Sequence, residues 1–271
     1  MKYFSLLIVV FLIFTGCKKE FNYRQVSKGI DIDLPEGNLC IYPVSSNAVR
    51  IKLFKEEEPE IPEFILTYGT ATPDFQTVET SSELTIKLKD IQIIVDKNTG
   101  CLSYASSTGE IFLQEKAGSR KLIPDSVEGE PCFIAEQSFE SPENESIFGL
   151  GQFQDGHYNL KGVTRRLTQV NSQIAIPFIY SSKGYGLLWH QYGLTDYNPA
   201  DNFVELKKQE QPAGDEELIE VTTTAGTQKV SQNQTLYTGQ FSVPEDGEYS
   251  VFLDLGDMGN RYYVVIDGKP Y

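Results

Sequence analysis

The 271-residue chain is poor in the side chains that carry most catalytic chemistry: two histidines (His157 and His190), one tryptophan (Trp189) and four cysteines (Cys17, Cys40, Cys101, Cys132). The cysteines lack any Cys-x-x-Cys spacing, so a zinc site is not expected, and no metal is implied. Neither histidine has a nucleophile or carboxylate partner marked by sequence, which leaves Ser-His-Asp catalysis without support. Basic residues are also scarce, with 23 Lys and Arg against 38 Asp and Glu, a net charge of −15. A polyanion needs a basic footprint, so nucleic acid is excluded as a partner. The same deficit excludes an electrostatic hold on anionic lipid, whereas a neutral glycan is compatible with it. No cofactor is implied: Gly149-Leu150-Gly151 lacks the third glycine and following helix of a dinucleotide fingerprint, and 182–186 lacks phosphate-loop spacing. No long stretch keeps a helical period.

Alternation is what the sequence has instead. Val49, Ile51 and Leu53 alternate with Arg50 and Lys52; Leu84, Ile86 and Leu88 alternate with Thr85, Lys87 and Lys89; Ile91, Ile93 and Val95 follow. Turns separate these runs. The 96–100 cluster Asp-Lys-Asn-Thr-Gly tolerates left-handed backbone and reads as a hairpin turn; as a calcium loop it lacks the later acidic ligand. Cys101 to Tyr104 and Ile111 to Leu113 are the next strands, with a turn at Ser107-Thr108-Gly109. Strands at this spacing, with 15 Tyr and 16 Phe, predict an all-β chain built as a β-sandwich, most of the aromatics filling its core. Gly149 and Gly151 flank a single side chain, as at a bulge or a close backbone approach, and 182–186 reads as a hairpin turn. The acidic, proline-containing stretch 56–63 reads as a solvated connection.

Residues 1–16 read as a leader: Met1-Lys2, an apolar run over 4–14 too short to span a bilayer, then Phe14-Thr15-Gly16-Cys17. A small residue before a cysteine followed by Lys18-Lys19-Glu20 is the pattern of a bacterial lipoprotein, with Cys17 the lipidation site and a lipid-anchored position in the cell envelope, periplasm or outer-membrane surface. An ordinary leader or a short anchor are the alternatives; each also places the chain outside the cytoplasm. Cys40, Cys101 and Cys132 are an odd set, open to one disulfide or to core thiols. The organisation expected is a tether over 17–39, a β-sandwich over 40–199, a polar linker over 200–216 and a last β-module over 217–271. In that module Phe241 to Val243 and Tyr249 to Leu253 are expected strands around the turn at 244–247, and 262–266 is a final strand. Asp267-Gly268 is a strong hairpin turn with no room for a returning strand before Tyr271, so the module reads as truncated.

Several stretches together resemble a known family. Ile147-Phe148-Gly149-Leu150-Gly151-Gln152, Asn159-Leu160-Lys161-Gly162, Leu167-Thr168-Gln169-Val170-Asn171, Ile176-Pro177-Phe178 and 181–188 resemble the N-terminal, galactose-mutarotase-like domain of family 31 glycoside hydrolases. Gln152, Gln169 and Asn171 look most like the α-xylosidase branch. Residues 236–241, 244–249 and 266–268 resemble the first part of a PA14 module, a β-sandwich attached to carbohydrate-active enzymes. The resemblance implies a retaining hydrolase whose two carboxylates come from a (β/α)8 barrel. The family's Trp-x-Asp nucleophile motif is absent, since Trp189 is followed by His190 and Gln191, so no residue here is expected to be catalytic and the barrel is expected to lie C-terminal. It also implies that a loop of this domain shapes the sugar site, at Gln169, Asn171 and Gln173, whose amides bond hydroxyls without adding charge. The competing reading is that Gln169 and Asn171 satisfy backbone groups in a hairpin. Tyr158 and Trp189 are candidates for stacking on sugar or for packing. The implied partners are an oligosaccharide or polysaccharide of xyloglucan or α-glucan type and a membrane held through the lipid. Three functions compete: the non-catalytic front of such an enzyme, a stand-alone glycan-binding lipoprotein, and a structural envelope lipoprotein.

Overall fold

A computed structural model describes residues 21–58, 62–66, 71–200, 202–209, 218–223, 226–231, 235–247, 249–253 and 264–270. The leader, Cys17, residues 201 and 210–216 of the expected linker and residues 262–263 of the expected final strand lie outside them. Among the described residues there are strands and no helix, as the alternation predicts. They divide into two compact units. The first comprises those up to Glu145 together with Lys183–Tyr185; the second comprises Ser146–Ser182 and those from Gly186 onward.

In the first unit, β1 (Asn22–Val26), β2 (Gly29–Leu34), β3 (Gly37–Ser45) and β4 (Ala48–Phe54) make one antiparallel sheet in chain order. A second sheet holds β5 (Gln76–Glu79), β6 (Glu83–Lys87), β7 (Ile91–Asp96), β8 (Leu102–Ser106) and β9 (Ile111–Gln114), again in chain order. Ile30, Ile32, Leu39 and Ile41 of the first sheet and Leu84, Ile86, Ile93, Val95 and Leu102 of the second share one core. Successive side chains of a strand point to opposite faces, so the alternating residues of both sheets meet in a sandwich. Each side chain so buried contributes about 1.5–3 kcal/mol. The turn after β7 is the expected hairpin: Asp96 Oδ1 accepts the N–H groups of Asn98 and Thr99, both at 2.8 Å, and Gly100 takes φ +70°. β10 (Lys121–Val127) and β11 (Glu130–Glu136) form a separate two-stranded ribbon. Cys40, Cys101 and Cys132 are all free thiols, Cys40 buried among core residues.

The expected tether is corrected here. Residues 22–26, 29–34 and 37–39 belong to strands, and Ile30, Ile32 and Leu39 are among the most deeply buried side chains. The period-2 pattern Ile30, Ile32, Leu34 against Asp31 and Asp33 carries that signal in the sequence. The acidic connection is also more than solvated. Lys52 Nζ lies 2.5 Å from Glu58 Oε1, and Arg50 grips the Glu63 carboxylate through Nη1 and, at 3.2 Å, Nη2. Glu63 also accepts the N–H groups of Leu66 (2.9 Å) and Ile65 (2.8 Å). Hydrogen bonds from Arg50 first, then from these amides, hold its carboxyl well below the ordinary glutamate range. The unfolded chain therefore takes up the proton first, so this contribution is present above the ordinary value and lost as pH falls through the folded one. Urea unfolding of the wild type and Glu63→Gln from pH 7 to pH 3 should show the gap between them closing with acid; a constant gap would contradict the assignment.

The second unit contains β12 (Ile147–Gln152), β13 (Arg165–Leu167), β14 (Ile174–Ser181), β15 (Gly186–Leu188) and β16 (Thr195–Tyr197), in a three-stranded sheet of order β12-β14-β15 and a β13-β16 pair. Ile147, Leu150 and Leu160 are its buried centre, with Leu167, Ile179 and Tyr197 against them. At Gly149 and Gly151 both sequence expectations hold together. The register jumps there, two steps along β12 facing four along β14 (Gly149 opposite Ile179, Gly151 opposite Ala175). A Cβ on Gly149 would sit 2.5 Å from the Phe178 carbonyl oxygen, and one on Gly151 2.0 Å from that of Ile174.

Toward the C-terminus, β17 (Lys207–Lys208) pairs with β20 (Tyr237–Thr238), β18 (Leu218–Thr223) with β19 (Gly226–Ser231), and β21 (Val265–Ile266) with β22 (Lys269–Pro270). Three expectations change. A pair of residues inside the expected linker is in a strand. Phe241 to Val243 and Tyr249 to Leu253 are not in strands; alternation alone makes no strand without a partner, and the described residues supply none for them. The Asp267-Gly268 turn does have a returning arm, because with both residues at positive φ (49° and 77°) a single pair on each side closes the hairpin.

Candidate functional site

The three expected sugar-contacting amides fall in one tight turn between β13 and β14. Val170 and Gln173 bridge, the Gln173 N–H donating to the Val170 carbonyl at 3.3 Å, which leaves Asn171 and Ser172 at the tip. Their side chains have different employment. Gln169 donates through Nε2 to the Ala175 carbonyl (2.8 Å) and accepts the Ala175 N–H at Oε1 (3.1 Å). Gln173 donates through Nε2 to the Thr168 carbonyl (2.9 Å) and to its hydroxyl (3.3 Å). Asn171 is exposed and makes no hydrogen bond among the described residues. The backbone-satisfying reading thus describes the geometry of Gln169 but not of Asn171, whose carboxamide is unengaged; Gln173, outside that reading, also bonds backbone.

Beside this turn, β14 turns an apolar face outward. Ile174, Ile176, Phe178 and Tyr180 alternate along it and are all exposed, and Leu188 stands opposite Phe178 on β15. Phe148, opposite Tyr180 on β12, stacks on it with centroids 5.2 Å apart, and the largely exposed Tyr158 leans on Phe148 at 5.0 Å. The loop that carries Tyr158 is braced by Arg165, whose guanidinium is 5% exposed. It bonds Asp155 through Nε (2.9 Å) and Nη2 (2.7 Å) and lies 4.3 Å from the Phe153 ring centroid. Sequence reasoning passed over this face, although the alternation of Ile174, Ile176, Phe178 and Tyr180 is a strand signal. Trp189 is half-buried, and its backbone N–H donates to the Pro177 carbonyl at 2.8 Å. Both histidines are exposed; His190 meets Tyr192 edge-on at 5.5 Å.

A buried charge cluster lies in the first unit. Arg120, 10% exposed, bonds Glu115, Glu36 (3.3 Å) and the Gly100 carbonyl (3.2 Å). Glu115 is 4% exposed and also accepts the Leu102 N–H at 2.9 Å. Burial pushes its carboxyl up, and Arg120 opposes that shift. These groups, with Thr99, Cys101, Lys116 and Gly118, line a cavity of about 240 Å³. Arg120 is shared by the two carboxylates, which makes the cluster a structural ion network. Among the described residues no group of three or more His, Cys, Asp or Glu is placed to hold a metal.

Two antiparallel sheets around one core, followed by a glycine-bulged three-stranded sheet, define an all-β protein of β-sandwich type. The family model described as the glycosyl hydrolase 31 N-terminal galactose mutarotase-like domain matches residues 38–198, and the chain belongs to that family. It is similar to an α-xylosidase of Saccharolobus solfataricus, 31% identical over 176 residues, which is 58% of this chain and 22% of that protein. It is also similar to an uncharacterised family 31 glucosidase of Pseudescherichia vulneris, 42% identical over 64 residues, 24% of this chain and 12% of that protein. Among solved structures, a family 31 α-xylosidase from Xanthomonas citri superimposes with a TM-score of 0.57 at 26% identity, over 69% of this chain and 20% of that one. A soil-metagenome α-xylosidase complexed with xylose gives 0.54 at 26% identity, over 65% and 29%. The chain spans about a fifth of the length of the first curated relative.

Proposed function

We propose that this chain is the non-catalytic N-terminal region of an exported family 31 glycoside hydrolase of α-xylosidase or α-glucosidase type, and that the acid–base pair lies in a (β/α)8 barrel farther along the same polypeptide. The observation that carries the reading is the match of residues 38–198 to an N-terminal domain family, in relatives that are several times longer and named as glycosidases. The outward apolar face of β14 supports it, since an accessory sandwich that leans on a larger body keeps such a surface. The ligand class follows from the relatives' names, a neutral α-linked xylosyl or glucosyl chain, and Asn171 is the amide of this domain that reaches it. Cys17 carries the lipid that holds the enzyme at the cell envelope, and 217–271 is the first part of an inserted PA14 module.

Expression of the 271-residue chain beside the complete reading frame that contains it, with 4-nitrophenyl α-xyloside and xylogluco-oligosaccharides as substrates, tests the reading. Sugar release is expected from the longer polypeptide and none from the chain by itself. Enzyme-like turnover by the isolated chain, or a reading frame that ends without a barrel, would overturn it.

A further inference from the structure

We infer that the first unit is held flush against a lipid surface, with the end of its sandwich formed by the 35–36, 80–82 and 97–100 turns facing the bilayer. This rests on the lipid at Cys17 proposed above and says how that lipid places the protein. The fold begins almost at the anchor. Phe21 already packs against the core of the first unit, and β1 is paired from its first residue, Asn22 opposite Asp33. Lys18, Lys19 and Glu20 are all that stands between Cys17 and Phe21. Four fully extended residue steps reach at most about 14 Å. Several contacts fasten the start of β1. Tyr23 meets Phe21 with ring centroids 6.3 Å apart and donates through its hydroxyl to Glu79 at 3.1 Å. Lys97 Nζ lies 5.9 Å from the Phe21 centroid and donates to Glu79 (2.5 Å) and to the Thr80 carbonyl (2.6 Å). An edge strand of one sheet is thereby tied to the edge strand β5 and to two turns of the other sheet. At the opposite end of the sandwich, backbone hydrogen bonds join Asp90 to Ser46 (3.1 Å) and to Ser107 (3.0 Å). That end lies a strand length farther out, about 20 Å for the six residues of β2. Charge does not set the orientation. Lys97 and Arg120 at the near end are engaged, the first by Glu79 and the second by Glu115 and Glu36, so the reach of the chain decides it and attraction to anionic headgroups does not.

Trypsin added to membranes that carry the complete protein tests this, because Lys18 and Lys19 are its cleavage sites between anchor and fold. A protease needs several residues of free extended chain, and a tether this short supplies them only when β1 opens. The wild type is expected to be released about tenfold more slowly than a variant with about twelve Gly and Ser residues inserted between Glu20 and Phe21. Phe21→Ser with Tyr23→Ser, which undocks the start of β1, should also quicken release; should that pair fail to fold, the insertion, which leaves the fold untouched, carries the test. Neutron reflectometry on a supported bilayer should show a gap under about 15 Å between headgroups and protein, wider in the insertion variant. Equal release rates for wild type and insertion variant, or equal gaps, would overturn the inference and leave the anchor standing. Wild-type protein in the soluble fraction, membrane retention of Cys17→Ala, or release by high salt would overturn the anchor itself, and the inference with it.

Discussion

Arg120→Ala is expected to destabilise the chain by about 3–5 kcal/mol, the cost of leaving a buried carboxylate without its partner. Glu115 is the reason. It is almost wholly buried, its carboxyl is pushed up by that burial, and Arg120 is the cation that opposes the shift. Arg120 also ties Glu36 in the β2–β3 turn to Gly100 in the β7–β8 turn, so its loss frees two connections at once. The sign of the pH effect follows. A carboxyl whose folded value is raised binds its proton more tightly when folded, so its stabilising contribution is complete below the unfolded value and lost as pH rises. Without Arg120 that rise is larger, and the deficit of the variant should grow from pH 4.5 to pH 7.5. Replacing both members, Arg120→Leu with Glu115→Leu, should recover part of the loss, since two apolar side chains leave no buried charge. Urea unfolding at the two pH values decides it: a deficit under about 1 kcal/mol, or one independent of pH, contradicts the buried-pair account.

Gly151→Ala is expected to cost about 3 kcal/mol, and Gly162→Ala only about 1 kcal/mol. The pair isolates one variable. Both glycines hold positive φ, +99° and +75°, but a Cβ at 162 meets open space while one at 151 would lie 2.0 Å from the Ile174 carbonyl oxygen. At 151 the strands must part at the point where the β12-β14 register shifts, next to the Ala175 peptide that Gln169 holds. Thermal melts of the two variants compare them directly, and equal losses would mean that backbone conformation alone, without steric approach, sets the need for glycine. Gln169 links this prediction to the proposed site, because a displaced β14 carries the 170–173 turn with it.

Local chemistry made much of the first unit legible. The runs at 49–53, 84–87 and 91–95 are strands because alternation needs only a face to bury, and Asp96 closes its turn with its own carboxylate. The strands at 22–34 carry the same alternation, in a stretch whose place after the apolar run of 4–14 suggests a tether. Phe241 to Leu253 failed in the opposite way: it alternates, yet a strand also needs a partner at hydrogen-bonding distance, which no local pattern supplies. At the candidate site the sequence pointed to the turn and to its amide residues, but a glutamine that clamps a backbone and an asparagine that faces solvent look alike as letters.

Composition and pattern were sufficient to establish an all-β chain, and family 31 motifs were sufficient to place it, because strand periodicity, turn residues and glycine spacing act over a few neighbouring positions. The pairing of Glu115 with Arg120, the outward face of β14 and the division of labour among Gln169, Asn171 and Gln173 were decided only in three dimensions. Burial and hydrogen-bond partnership depend on which strands lie side by side, and that adjacency is a property of the whole fold.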